Sequence, residues 1–300
     1  WANAHDPHTT YFSADMLEDF RIGMRLSLEG IGAVLRQRDG YTQVHEVVPG
    51  GAASREGSLK TKDRIIAVAQ DGKEAVDVVD MSLRDVVKLI RGKKGTKVHL
   101  TVLRKSEKSE TLKISIVRDK IDLKEQAAKL RWETIERDGR QLKLAVLELP
   151  SFYGGRAPGS RQASDDVRDL LREVKAKKAD GLMLDLATNS GGLLQYAVEI
   201  SGYFLRSGPI VGVEGARDGR QILEDEDSRT LYNGPLVVHT SRLSASASEI
   251  LAGAVKDYRR GVIVGDDHTF GKGSVQQVIN LPPGKGALKV TTSLFFRPGG

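Results

Sequence analysis

The most constraining part of this chain lies between residues 181 and 265, where short apolar runs alternate with amphipathic ones. GLMLDLA (181–187), PLVVHT (235–240) and GVIVGDD (261–267) open on nearly continuous apolar segments, the pattern of strands buried on both faces. LLQYAVEISGYFL (193–205) and SEILAGAVKDYRR (248–260) lie between them and carry helical spacing. Strand, helix, strand, helix predicts βαβ units and a largely parallel sheet. LKLAVLEL (142–149) and SDDVRDLLREVKAKK (164–178) extend the series upstream; the helix has an acidic start and a basic end, as the macrodipole favours. Ligands of such sheets collect where strands end and helices begin. Two polar stretches fall there, NSGG (189–192) and SASASE (244–249).

Residues 20–118 read differently. Short β-like runs, GAVLRQ, YTQVHEVV, DRIIAVAQ, KVHLTVLR and TLKISIVR, are separated by turn signals such as RDG, PGG and QDG. One helix interrupts them, with Leu83, Val86, Val87 and Ile90 on one face and Gly92 as its stop. This block predicts a small, partly open barrel. SFYGGRAPGSRQAS (151–164) is a Gly/Pro/Ser-rich connection that reads equally as a lid or a surface loop.

Composition removes several function classes. The absence of cysteine excludes disulfides, thiol catalysis and cysteine-based zinc sites. The net charge of +6 is interspersed with acid, and aromatics are only 5%, so nucleic-acid binding is not expected. No apolar run reaches the ~18 residues of a membrane helix.

Ser246 and Glu249 fit a capping box, the serine as N-cap and the glutamate at the third helical position. A serine there is also exposed at a sheet edge, with the Ala247 amide and the positive helix end beside it, an arrangement that suits an oxyanion. Gly191 and Gly192 can supply a second amide, or simply make a tight strand-to-helix turn. A serine hydroxyl needs a base. None of the six histidines, His5, His8, His45, His99, His239 and His268, comes with an acid in a diagnostic pattern. Lys272, between Gly271 and Gly273, would serve if desolvation lowered its pKa; a solvated turn is the plainer alternative.

Taken in order, DPHTTYFS (6–13), SLEGIGAVL (27–35), VVPGGAA (47–53), DRIIAVAQDG (63–72), DVVKLIRGKKGTKV (85–98), LPSFYGG (149–155), DLATNSGG (185–192), SASASEILAGAVKDY (244–258) and TFGKGSVQQ (269–277) resemble the carboxy-terminal processing proteases across essentially the whole chain. The resemblance implies an α/β peptidase core of the ClpP/crotonase type formed by residues 1–19 and 119–300, shortened at its C-terminus, with a mainly-β PDZ domain inserted at 20–118. It implies Ser246 as nucleophile, Lys272 as base and Gln276 orienting the lysine. Ala247 with Gly191 or Gly192 would form the oxyanion hole, and Asp257 would support the site. Gly30, Ile31 and Gly32 match the carboxylate-binding loop of a PDZ domain. The implied substrates are polypeptides with apolar C-termini, with an envelope adaptor protein as a further partner. No metal or cofactor is implied, and the implied compartment is the periplasm or envelope of a Gram-negative bacterium.

Two departures from the family pattern carry consequences. Ala187 stands where the family has an arginine (D-L-R-x-N-x-G-G), and GDDHTFGKG holds one residue more before the lysine. They keep open a rival reading, a PDZ-bearing scaffold with a degenerate peptidase core. A crotonase-like acyl-CoA enzyme shares the glycine-rich oxyanion logic but accounts for neither the PDZ block nor the lysine.

A lysine and a glutamine four residues apart on a regular strand share a face but lie ~13 Å apart. Contact between Lys272 and Gln276 therefore requires a bulge or a curl in the chain.

Overall fold

The computed structural model describes residues 6–105, 109–155, 160–215, 219–227 and 229–300; His5 and residues 156–159 of the Gly/Pro/Ser-rich connection lie outside the described residues. The chain divides into two units, residues up to Leu26 together with Lys124–Gly300, and Ser27–Leu123. The first unit begins with β1 (Thr10–Phe12) and α1 (Ala14–Arg25). Ser13 caps α1 by accepting the Met16 N–H.

The second unit runs through β2 (Ser27–Gly30), β3 (Ala33–Arg38), β4 (Tyr41–Val47), α2 (Ala52–Glu56), β5 (Arg64–Gln70), β6 (Val76–Asp77), α3 (Leu83–Ile90), β7 (Lys97–Arg104), β8 (Glu110–Val117) and β9 (Asp119–Asp122). Strands β3-β4-β5-β7-β8 form an antiparallel sheet, with β6 on β5 and β2 paired to β9. The helix expected from the spacing of Leu83, Val86, Val87 and Ile90 is α3. It starts at Ser82, whose hydroxyl accepts the Asp85 N–H, and it buries Val86 and Ile90. These pack with Val44, Ile65, Val68, Val98, Leu100 and Ile116. Arg118, only 3% exposed, closes the far end of α3 by donating to the carbonyls of Leu89 and Ile90. It also reaches Lys97 O, Thr96 Oγ1 and Gln70 Oε1.

The first unit resumes with β10 (Lys129–Arg137), β11 (Arg140–Glu148), α4 (Ala163–Ala176), β12 (Gly181–Asp185), α5 (Leu194–Gly202), β13 (Pro209–Gly215), β14 (Gly219–Glu224), β15 (Leu236–Thr240), α6 (Ala247–Asp257), β16 (Val262–Gly265), β17 (Ser274–Asn280) and β18 (Ala287–Phe296). The sheet β10-β11-β12-β15-β16 is parallel from β11 onward, with β10 added as an antiparallel hairpin strand. The apolar runs read as buried strands supply it: Leu182, Leu184, Leu236 and Val238 are almost fully buried. A second, antiparallel sheet joins β1, β18, β13 and β14, with β17 on β18.

Two features of this layout position the site. β12 and β15 end side by side, Asp185 opposite His239, so the turns leading to α5 and α6 begin next to each other. The antiparallel sheet then returns the chain near the start of α6, with Phe270 N–H bonded to Ser244 O. No helix among the described residues is long and apolar enough to cross a membrane.

Candidate active site

The SASAS run has three serines with three different environments. Ser244 and Ser248 are fully buried, and their hydroxyls donate to Leu186 O and Asn189 O, each at 2.8 Å. They fasten the start of α6 to the turn after β12. The Ala245 N–H adds a bond to Asn189 O at 3.1 Å. Ser246, between them, is only partly buried and has φ 57° and ψ −114°. A side-chain-bearing residue rarely occupies that region, and holding one there costs about 1–3 kcal/mol. The sharp strand-to-helix turn that results lifts the Ser246 side chain out of the sheet.

Asn189 locks the facing turn. Its side chain is fully buried, donates to Leu149 O at 2.9 Å and accepts the Gly191 N–H at 2.8 Å. That bond occupies the Gly191 amide. Among the described residues nothing accepts from the amides of Gly192 or Ala247. Gly191 has φ 108°, and a Cβ on it would lie 2.8 Å from Ser246 Cβ and 3.3 Å from Ala247 N. Gly192 has φ 149°, and a Cβ there would fall 2.4 Å from Phe152 O. Both positions require glycine, because any side chain would push the turn away from Ser246. Of the two glycines, Gly192 is the one left with a free amide.

Glu249 joins the two halves of the site. Its carboxylate accepts the Ser246 N–H at 2.7 Å, as the capping-box spacing predicts. The same oxygen accepts the Lys272 N–H at 2.9 Å, and the other takes Gly271 N–H at 2.6 Å and Thr269 Oγ1 at 2.7 Å. One carboxylate thus holds the backbones of the serine and the lysine together. The capping box alone was visible in the sequence. The bridge to TFGK appears only when β17 is placed.

The loop that leads to Lys272 is tied down at its start. There, Asp266 accepts the Arg242 N–H and Asp267 its guanidinium, so Glu249 keeps the Thr269–Lys272 segment in register.

Lys272 is half-buried. Burial lowers its amine below the ordinary value, Lys289 adds to the depression, and Glu249 and Asp6 oppose it. Its ammonium donates to Gln276 Oε1. The register of β17 against β18 shifts between Val275 and Gln276, and this bulge allows the contact that a regular strand forbids. Gln276 Nε2 donates in turn to Ser274 Oγ at 2.8 Å and Thr291 Oγ1 at 3.1 Å. Lys272 and Gln276 are therefore joined through their side chains, whereas Ser246 and Lys272 are joined through Glu249. No direct hydrogen bond links Ser246 Oγ to Lys272 Nζ among the described residues. Such bonds are often long in a site without substrate.

Asp257, expected to support the site, does not reach it. It lies at the other end of α6, eleven residues and so ~16 Å from Ser246, where it binds the Arg297 guanidinium and the Gly299 N–H. Among the histidines, His239 does have an acid partner that sequence adjacency hid: its Nδ1 lies 3.0 Å from Asp185 Oδ1 on the neighbouring strand. Asp185 also accepts the Ala187 N–H.

In the second unit, Gly30, Ile31 and Gly32 are buried. The Ile31 and Gly32 carbonyls accept the Ala53 and Val48 amides. Their own N–H groups have no acceptor among the described residues. Leu83 and Val87, on the outer part of the α3 apolar face, stay half-exposed.

A sequence profile for Peptidase family S41 matches residues 143–300, and one for the PDZ domain matches residues 15–103. The chain belongs to peptidase family S41. Within that family it is similar to the tail-specific protease of Haemophilus influenzae, with 40% identity over 307 residues covering 100% of this chain and 42% of that protein. It is 33% identical to the carboxy-terminal-processing protease of Bartonella bacilliformis, over 98% of this chain and 63% of that one. The solved photosystem II D1 C-terminal processing protease superposes with a TM-score of 0.53 at 27% identity, over 99% of this chain and 75% of that chain. The chain therefore spans 42% and 63% of the two relatives' lengths.

Proposed function

We propose that this chain carries the catalytic and peptide-binding parts of a serine endopeptidase that cleaves polypeptides selected by their apolar C-termini. The carrying observation is the Glu249 carboxylate, which holds a strained, partly exposed Ser246 and a half-buried Lys272 on one oxygen. Ser246 Oγ attacks the scissile carbonyl carbon as its proton passes to the neutral Lys272 amine. The oxyanion forms against the Ala247 and Gly192 amides, at the positive end of α6. Collapse breaks the C–N bond, and the Lys272 ammonium returns the proton to the leaving amine. The same amine then takes a proton from water, which hydrolyses the acyl-enzyme. Gln276, by accepting one Lys272 N–H, leaves the amine lone pair free to turn toward the serine.

The core is read as the ClpP/crotonase type, on the support of its parallel strands followed by helices with amide-rich turns at their starts. In the PDZ unit, the free amides of Ile31 and Gly32 would hold the substrate's terminal carboxylate. Leu83 and Val87 would line the groove for its apolar side chains, as the peptide adds a strand. The relatives' names support the C-terminal processing role, and residence in the periplasm or envelope is carried over from the same likeness.

The test is turnover of an internally quenched peptide with an apolar C-terminus. Cleavage that vanishes in both Ser246→Ala and Lys272→Ala is expected. Cleavage retained in Lys272→Ala would remove the Ser–Lys assignment, and tight binding without cleavage by the unaltered, full-length protein would establish a scaffold.

A further inference from the structure

We propose that the Phe152 N–H is the lock that points the Gly192 amide into the site, and that Tyr153 is the positioning residue that keeps this lock in place. This rests on the reading of Gly192 as an oxyanion donor. The Gly192 N–H and the Gly191 carbonyl belong to one planar, trans peptide group, so they point in opposite directions. The Gly191 carbonyl accepts the Phe152 N–H at 3.0 Å. The Gly192 N–H is thereby turned away from Phe152. Ser246 lies on the other side of the turn: a Cβ on Gly191 would crowd Ser246 Cβ and Ala247 N, whereas one on Gly192 would strike Phe152 O.

This peptide group needs holding. It lies between two glycines, with φ 108° at Gly191 and 149° at Gly192, and glycine resists backbone rotation less than any other residue. A half-turn would put the Gly191 carbonyl where the Gly192 N–H stood, and a carbonyl dipole there repels an oxyanion. The Leu193 N–H donates to Phe152 O at 2.8 Å. Phe152 therefore grips the chain on both sides of Gly192, and the rotation is blocked.

Phe152 is fixed in turn by the residues after it. Tyr153 is fully buried. Its hydroxyl accepts the Ala128 N–H at 3.0 Å and donates to Asp166 of α4, which also takes the Arg161 guanidinium. Burial holds the phenol's ionisation above its ordinary value, so it remains a donor. Tyr153 O accepts the Ala163 N–H at 2.9 Å, and the Gly154 N–H donates to Met24 O at 2.7 Å. A Cβ on Gly154 would run into the Tyr196 ring of α5, so the helix that follows the glycine pair packs directly on this segment. SFYGG (151–155) is thus the strut behind the glycine pair, a role that its loop-like composition hides.

The experiment replaces single backbone N–H groups by oxygen in the full chain. Suppressor tRNAs acylated with α-hydroxy acids give Phe152→α-hydroxy-phenylalanine and Gly192→glycolic acid, and Tyr153→Phe is made alongside. For each, kcat and KM are measured on the quenched peptide, with the inhibition constant of a peptide boronate whose tetrahedral adduct places an oxygen where the oxyanion forms. The Gly192 ester is the reference, because removing one oxyanion donor costs about 10²–10³-fold in kcat. The Phe152 ester is expected to lose about ten-fold or more of kcat, a part of that effect, and to weaken the boronate by the same factor with KM unchanged. Tyr153→Phe, which loosens the lock without removing it, should show the same signature at about five-fold. Adding Tyr153→Phe to the Phe152 ester should lose nothing further, because both act on one bond.

A Phe152 ester that binds the boronate as tightly as the parent would overturn the proposal. So would a rise in KM in place of weaker boronate binding, or Tyr153→Phe losses that multiply with those of the ester. Should the Phe152 ester fail to fold, Tyr153→Phe decides through the same two constants. No loss in the Gly192 ester overturns Gly192 as an oxyanion donor and the lock with it, whereas a loss there beside an unchanged Phe152 ester overturns the lock alone.

Discussion

Replacing Ser246 by glycine should stabilise the first unit relative to replacing it by alanine, the direction that its N-cap position also favours. Both variants lose the proposed nucleophile, so their difference isolates the backbone. At φ 57° and ψ −114°, alanine keeps the Cβ and therefore the strain of about 1–3 kcal/mol. Glycine is free of it but brings a more flexible unfolded chain, which costs about 0.5–1 kcal/mol. The balance favours Ser246→Gly by about 0–2.5 kcal/mol. Inside an unstrained helix the same comparison would favour alanine by about 0.5–1 kcal/mol. The assay is urea unfolding of both variants at neutral pH, followed by far-ultraviolet circular dichroism and by fluorescence of Trp132, which lies on β10 of this unit. Thermal unfolding gives an independent reading, at roughly 2–4 °C per kcal/mol for a unit of this size. If Ser246→Gly proves less stable than Ser246→Ala, the turn holds no strain there, and the argument that this backbone presents the Ser246 hydroxyl fails.

Glu249→Gln keeps the shape but leaves one oxygen to serve four donors, two of them the Ser246 and Lys272 amides. Unfolding free energy should fall by about 2–4 kcal/mol, with kcat reduced at least ten-fold; a variant as active as the parent would show that the bridge does not hold the site. Lys272 has a folded-state pKa below its unfolded value, so in its protonated form it opposes folding. Stability should rise with pH between the lowered value and the ordinary 10.5. Lys272→Met should therefore resist urea better at pH 7, with the advantage shrinking toward pH ~11, as paired denaturation curves will register. Catalysis should show the matching sign, kcat/KM rising with pH as the amine loses its proton. In the PDZ unit, Arg118→Met strips five acceptors of their partner and should cost about 3 kcal/mol. Faster amide hydrogen exchange across α3 is the expected readout.

Much of this protein was legible in one dimension. Apolar runs such as GLMLD and LVVHT, set between helical patterns, fit strands buried on two faces, and the i, i+3, i+4, i+7 spacing of Leu83, Val86, Val87 and Ile90 fits one face of a helix. SASASE and NSGG were placed at strand ends by the same periodicity, because turn position follows from where neighbouring strands stop. What the sequence could not supply were contacts between residues far apart along the chain. The β2–β9 pair draws the edges of the second unit at Ser27 and Leu123, where composition shifts at 20 and 118, because pairing depends on which strand is adjacent. Asp257 matched a motif position yet sits a helix length from Ser246, since motif spacing does not say which end of a helix faces the site. His239 gained Asp185 only through the parallel register of β12 and β15. The sequence by itself determined the alternating strands and helices of the parallel sheet, the glycine-rich turns and the residue types able to do acyl transfer, all of which depend on local sterics and periodicity. The tertiary structure decided that one carboxylate oxygen would join Ser246 to Lys272 and that a bulge would bring Gln276 to the lysine. Those are hydrogen bonds between groups whose proximity is set by sheet pairing.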